Sequence, residues 1–218
     1  MDFSPINLEK LGKNSYKIRS MVSDHKKEIS LNLPWLGILI LIILAIAFLL
    51  PVLPNDFWWY LRLGKDILLN KAVPAIDTYS STAFGTPVSY PMWLSAILLH
   101  LTYELGGLTA IVLVRGLMIG SFYILLWVIS IKQGLRGWLV TILTLICALA
   151  GANNWAVRPQ MFVYPLFGLT LLILEPLKSN GDSGAQGQIE KRRKRFFWLI
   201  PIAFFWANLH GSVILLFL

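Results

Sequence analysis

The residues able to do chemistry in this chain are the polar ones that interrupt or end its apolar runs. They are Asp56 in "PNDFWWYL", Arg115 in "LTAIVLVRGLMIGSF", Arg158 and Gln160 in "WAVRPQMF", and Asn208 and His210 in "FFWANLHGSV". Asp56 directly follows the first apolar run, with Trp58 and Trp59 beside it as an apolar wall. A carboxylate there can accept a proton as a general base or hold a cation. The plainer role is that of an acid favoured at a helix N-terminus by the macrodipole. Arg158 and Gln160 flank Pro159, a residue suited to a first helical turn, and free amides beside a guanidinium make an anion-binding corner. Snorkelling of Arg158 to the interface is the competing role.

Arg115 stands about a third of the way through an apolar run, where an arginine costs roughly 2.5–3.5 kcal/mol on insertion scales. It must therefore face protein, a water-filled cavity or a bound anion; pairing with a carboxylate such as Glu104 and anion binding both satisfy that demand. Gly116 and Gly120 beside it form a small-xxx-small pair that lets another helix approach closely. Asn208 and His210, two positions apart, point in nearly opposite directions on a regular helix and need not share a partner. Interhelical hydrogen bonding and cavity lining are both open to them, and Gly211 offers a place to bend.

Elements that cross a membrane must position these groups. Of the 218 residues, 56% are hydrophobic and only 14% charged, outside the usual range of a water-soluble domain. The apolar runs are Pro34 to Leu53, Leu108 to Ile131, Trp138 to Asn153, Met161 to Leu177 and Phe196 to Leu218. They predict an all-α polytopic bundle of about five spans, since each approaches the ~20 residues that cross a hydrocarbon core. The shorter run Met92 to Leu105, with His100 and Glu104, is read as an interfacial or re-entrant helix. The segment before Pro34 lacks the form of a signal peptide, so the first span is read as uncleaved.

Most of the lysine and arginine falls in three clusters: Lys10, Lys13, Lys17, Arg19, Lys26 and Lys27 before the first span; Lys132 and Arg136 between the second and third; "KRRKR", Lys191 to Arg195, before the fifth. Five spans with the N-terminus inside put all three on the cytoplasmic side, as the positive-inside rule asks. The cytoplasmic parts are then residues 1–33 and the Gly- and Ser-rich connector 178–195, whose basic run sets topology or attracts anionic lipid. The net charge of +8 is thereby accounted for without nucleic acid as a partner. Cys147 is the single cysteine, so neither an internal disulfide nor a thiolate metal site is available. No cofactor is specified, and no metal ligands are assigned, although a divalent cation is compatible with Asp56.

The outer loop, 54–107, is the most informative segment. Pro54 ends the first span, and Asn55 or Asp56 opens a surface helix whose Phe57, Tyr60, Leu61, Ile67 and Leu68 recur at helical spacing. Pro74, Pro87, Pro91 and Gly85 predict an ordered loop in which Asp77 and Ser80 bond local amides. Asp56, Arg158 and the Asn208/His210 end all reach one leaflet under this topology, around a cavity whose charges suit a lipid phosphate.

The stretches "NDFWWYLRLGKDILLNKAVPAIDTYSSTAFGTPVSYPMWLSAIL", "RPQMF" and "WANLHG" resemble the N-terminal half of bacterial polytopic membrane proteins related to the GT-C glycosyltransferase superfamily, over roughly Pro34 to the end. The resemblance implies transfer of a sugar from a polyprenyl-phosphate carrier on the non-cytoplasmic face of the plasma membrane. It also implies an acidic residue just after the first span, matched by Asp56, and surface helices in that loop, matched by Asp56 to Asn70 and Met92 to Leu105. The adjacent second acid of the family pattern is missing. On this reading Asp56 is expected to be the catalytic base, Arg158 and Arg115 to stabilise the departing lipid phosphate, His210 and Asn208 to shape the cavity, and Gln160 and Trp59 to join the substrate-binding set. Family members usually have more spans, so the chain is expected to be a fragment, incomplete at its C-terminus, or a shortened relative; a shortened chain would suit a scaffold or a subunit with a membrane protein partner. Two rival classes remain from the residues themselves: a binding or transport protein for a lipid-linked anionic solute, and a non-catalytic scaffold whose polar residues only satisfy neighbouring helices.

Overall fold

The computed structural model describes residues 32–53, 56–175, 190 and 193–217. The basic residues before the first span, Pro54, Asn55, most of the 178–195 connector with Lys191 and Arg192, and Leu218 lie outside the described residues. Within them the chain is all-helical: α1 (Asn32–Leu49), α2 (Phe57–Asn70), α3 (Trp93–Lys132), α4 (Gly137–Gly151), α5 (Tyr164–Leu174) and α6 (Leu199–Leu209). Short 3₁₀ turns follow at Ala152–Asn154, Pro159–Val163 and Gly211–Phe217. The only β pairing among the described residues is an isolated antiparallel bridge between Ile76 and Pro87.

Three helical segments, Asn32–Leu49, Trp93–Lys132 and Gly137–Asn154, are long and apolar enough to cross a membrane. They mark a membrane protein, because in hydrocarbon only a helix can satisfy its own backbone along the whole path. The two later apolar runs do not continue as single helices of that length. Arg158 is extended (φ −141°, ψ 163°), as the residue before a proline tends to be, and Met161 to Leu177 therefore opens as the 3₁₀ turn before α5. The apolar helix Pro159–Leu174 spans roughly 24 Å at 1.5 Å per residue, short of a 30 Å core. Phe196 to Leu218 is broken at His210, which is extended (φ −165°, ψ 143°) and ends α6.

The interfacial helix expected at Met92 to Leu105 is the first part of α3. Gly106 (φ −169°, ψ 28°) and Gly107 (φ 59°, ψ −147°) leave helical geometry and free the two halves of α3 from a common axis. Gly107 occupies a backbone region that a side chain makes costly, so this junction depends on glycine.

α2 packs along the first half of α3. The contact is close because Gly64 lies against the Ala96 carbonyl, where a Cβ would come within 2.1 Å of the oxygen. The buried face of α2 is Phe57, Tyr60, Leu61, Leu63, Gly64 and Ile67. Leu68, expected on that face, is exposed, and Leu63 takes its place. The apolar pattern alone does not locate a buried glycine, and Gly64 shifts the contact stripe around the helix.

One core joins Phe57, Tyr60 and Leu61 of α2 to Leu99 and Ile111 of α3, the Val157–Val163 region, and Ile202, Trp206 and Leu209 of α6. A second joins Leu39, Ile43 and Ala47 of α1 to Ile119, Tyr123 and Trp127 of α3 and Val140 and Ala148 of α4. In this second core Gly116 admits Leu44 and Ala47 of α1, whose side chains lie 3.2 and 3.5 Å from where its Cβ would stand. The small-xxx-small pair thus faces α1.

Candidate functional site

The first aromatic turn of α2 and the extended residue ahead of Pro159 come together in space. Arg158 Nη2 lies 3.5 Å from Asp56 Oδ2, and both side chains are partly open to the surroundings. Asp56 occupies the N-cap position of α2 but its side chain caps no backbone amide. The carboxylate is thus left to Arg158, with the positive end of the helix behind it. Arg158 Nε is buried and has no hydrogen-bond partner among the described residues. Tyr60, one turn into α2, has its phenol pushed above the usual range chiefly by burial, with Asp56 adding to the rise and Arg158 opposing it.

Asp56 also stands at the rim of a cleft of about 470 Å³ lined by Trp59, Tyr60, Asp77, Tyr79, Ser80, Val88 and Tyr90. The loop that forms the far wall is ordered by its own hydrogen bonds. Asp77 Oδ1 accepts from the Tyr79 and Ser80 amides at 2.8 and 2.9 Å, and Ser80 Oγ accepts from the Ala83 amide at 3.1 Å. Backbone bonds from Asp77 N to Thr86 O and from Val88 N to Ala75 O close the loop across the Ile76–Pro87 bridge. These are the turn roles read from Asp77 and Ser80 in the sequence.

Tyr79 is then fixed at its tip. Its hydroxyl donates to Asp66 Oδ2 at 2.9 Å, and Asp66 is itself held by Arg62 one turn earlier on α2. Burial and the Asp66 hydrogen bond both raise the Tyr79 phenol well above its usual range. Tyr79 packs edge to face with Trp59 and Tyr90, and Trp59 is tilted against Tyr90, with ring centroids 5.6–6.4 Å apart. The sequence reading singled out Trp59 but missed Tyr79, Tyr90 and Asp66, because loop aromatics carry no periodicity and a mid-helix Arg62/Asp66 pair looks like an ordinary surface ion pair.

The remaining sequence candidates are placed elsewhere. Arg115 is fully buried, and its guanidinium donates to the carbonyls of Ala47, Leu50 at 2.6 Å and Pro51 at 3.4 Å. Its terminal nitrogens therefore serve the unsatisfied C-terminal carbonyls of α1, Glu104 is not among its partners, and its Nε is buried without a partner among the described residues. Asn208 accepts from Trp93 Nε1 at 3.0 Å and donates to the Phe204 carbonyl at 2.7 Å, tying α6 to the start of α3. Ser95 on α3 donates to the Leu209 carbonyl at 2.8 Å and reinforces that tie.

His210 Nδ1 accepts from the Ser212 amide at 3.1 Å, so in this neutral ring the proton resides on Nε2. Ser212 Oγ donates to the same Nδ1 at 2.8 Å and accepts from Trp206 Nε1 at 3.0 Å. His210 thus holds the turn that ends α6. Gln160 borders a separate apolar furrow of about 180 Å³ with Tyr164, Phe167, Trp206 and Leu215. Of the expected set, Asp56 and Trp59 line the cleft and Arg158 joins them only through its pair with Asp56, whereas Arg115, Asn208, His210 and Gln160 are not among the lining residues.

No group of three or more histidine, cysteine, aspartate or glutamate side chains able to hold a metal ion occurs among the described residues. No protein-family model, curated protein or solved structure matches the chain.

Proposed function

We propose that the chain is a GT-C-like membrane glycosyltransferase, or the N-terminal module of one. It would cross the plasma membrane about five times with its N-terminus in the cytoplasm and take a sugar from a polyprenyl-phosphate donor on the opposite face. The observation that carries this reading is the Asp56–Arg158 pair, 3.5 Å apart across some hundred residues of sequence and opening onto a cleft. A base and an anion-binding cation are the two groups such a transfer needs side by side.

In this reading Arg158 turns from Asp56 to the donor phosphate. Its buried, unpartnered Nε supports that role, since an N–H already removed from water gains most from a new acceptor. Asp56, released from the pair, takes the proton of an acceptor hydroxyl. That oxygen attacks the anomeric carbon, the bond from this carbon to the phosphate oxygen breaks, and the polyprenyl phosphate departs as an anion held by Arg158. Trp59 packs beside the reacting sugar. Arg115 has no place in this step, because both of its terminal nitrogens donate to the last carbonyls of α1, although its Nε is likewise buried without a partner among the described residues.

The test is transfer of labelled sugar from a polyprenyl-phosphate donor by the full chain in proteoliposomes, comparing Asp56→Asn with the parent. General-base removal should lower the rate by about 10²–10⁴-fold. Equal rates would remove Asp56 from the mechanism, and donor binding that needs Arg158 without any transfer would favour a lipid-phosphate carrier instead.

A further inference from the structure

The cleft beside Asp56 has a composition that says what kind of molecule it takes. Its walls carry the Trp59 and Tyr90 rings, the hydroxyl-bearing Tyr60 and Ser80, and the carboxylates of Asp56 and Asp77. Its volume of about 470 Å³ falls within the ~300–1,000 Å³ typical of small-molecule sites. Two carboxylates disfavour a phosphate or any other anion in the cleft itself. Arg158 stands at the Asp56 end and Arg62 behind Asp66, neither among the lining residues. Trp59, Tyr79 and Tyr90 are already in contact with one another at 5.6–6.4 Å, so they form a single wall and not a cage around a cation.

A wall of this kind matches a neutral, hydroxyl-rich ring. Carboxylate oxygens accept from hydroxyls, and an indole offers a flat apolar surface for the C–H face of a sugar. The wall is preorganised for such a ligand. Asp66 fixes the Tyr79 hydroxyl, and the two amide bonds to Asp77 Oδ1 leave its Oδ2 without a partner among the described residues.

We infer that this cleft is the acceptor subsite and that the acceptor is itself a saccharide. Its ring would lie against Trp59 and Tyr90, a hydroxyl on Asp77, and the hydroxyl to be glycosylated towards Asp56. The inference rests on the proposed transferase reading for the word acceptor; saccharide binding at the cleft stands or falls separately.

Saturation-transfer difference NMR on the full chain in nanodiscs tests it, with N-acetylglucosamine, maltose and cellobiose as neutral probes and tetramethylammonium and inorganic phosphate as charged ones. At least one saccharide should show transfer. The signal should fall at least tenfold in Trp59→Leu, survive in Trp59→Tyr, and weaken severalfold in Asp77→Asn, which keeps the Oδ1 acceptor that orders the loop. Unchanged melting temperature in Asp77→Asn guards against a folding artefact. Saccharide binding without sugar transfer would leave this inference in place and remove the transferase reading. Transfer to a non-saccharide acceptor with no saccharide signal would do the reverse. Binding of tetramethylammonium or phosphate alone, of no probe at all, or of saccharides equally well to Trp59→Leu would overturn the inference.

Discussion

Replacing Gly64 by alanine puts a methyl group 2.1 Å from the carbonyl oxygen of Ala96, 2.6 Å from its carbon and 2.9 Å from His100 Cβ. An ordinary carbon–oxygen contact is about 3.3 Å, so α2 and the first half of α3 must part by roughly 1.2 Å. The obstacle is backbone, which cannot swing aside. Overpacking of this kind costs about 1–3 kcal/mol, and a radial gap of that order forfeits much of the dispersion attraction around Leu63, Ile67, Ala96 and Leu99. A total near 3 kcal/mol lowers the melting temperature of a chain this size by roughly 6–12 °C. Asp56 is eight residues, about 12 Å, along the same helix, so the movement also opens the pair with Arg158 beyond its 3.5 Å. Thermal unfolding of the detergent-solubilised protein, followed by circular dichroism, reads the effect. Gly37→Ala in α1 is the control. Nothing lies within 4 Å of its Cβ, and alanine is worth about 1 kcal/mol over glycine inside a helix, so that variant should melt at or above the parent. A Gly64→Ala protein that melts within about a degree of the parent would refute the close α2–α3 contact and with it the placement of Asp56.

Arg115→Lys keeps the charge but cannot reach the Ala47, Leu50 and Pro51 carbonyls together, and each lost charge-assisted bond is worth about 1.5–3 kcal/mol. The protein should lose stability on melting while retaining donor affinity; a selective loss of donor affinity would return Arg115 to the substrate site. Tyr79 should ionise later than an ordinary tyrosine, because burial and Asp66 favour its neutral form. With the folded value raised above an unfolded value of about 10, its stabilisation is complete below pH ~10 and lost as pH rises through the folded value. Phenolate absorbance during alkaline titration should lose a late component in Tyr79→Phe, and an unchanged titration curve would contradict the Asp66 clamp.

The helical, membrane-type architecture was legible because long apolar runs mark helices that can cross a bilayer. The break at Gly106–Gly107 separates the Met92 to Leu105 helix from the following span where the sequence reading put the boundary. Asp56 and Arg158 could be associated from sequence because each stands at the end of an apolar run. Arg115 was harder. A buried guanidinium demands acceptors, but sequence does not distinguish a carboxylate from the free carbonyls of another helix's last turn. His210 shows the same limit: read as a member of a continuous span, it proved to be extended and hydrogen-bonded to the next serine. Arg195, counted as one orientation charge among several, also donates to the carbonyls of Leu172 in α5 and of Glu175 just after it. The Tyr79–Tyr90 wall left no periodic trace, and only the turn chemistry of Asp77 and Ser80 hinted that its loop was ordered.

The central claim is that Asp56 and Arg158 act on opposite partners of one transfer and are more than a charge-neutral clasp. A double-mutant cycle on the initial rate of labelled-sugar transfer in proteoliposomes, using Asp56→Asn, Arg158→Gln and the double variant, tests it most directly. Each single substitution should slow transfer by about 10²-fold or more, and the double variant should be at least as slow as the slower single one. A double variant that regains the parental rate would contradict the account, since the pair would then serve only to neutralise itself.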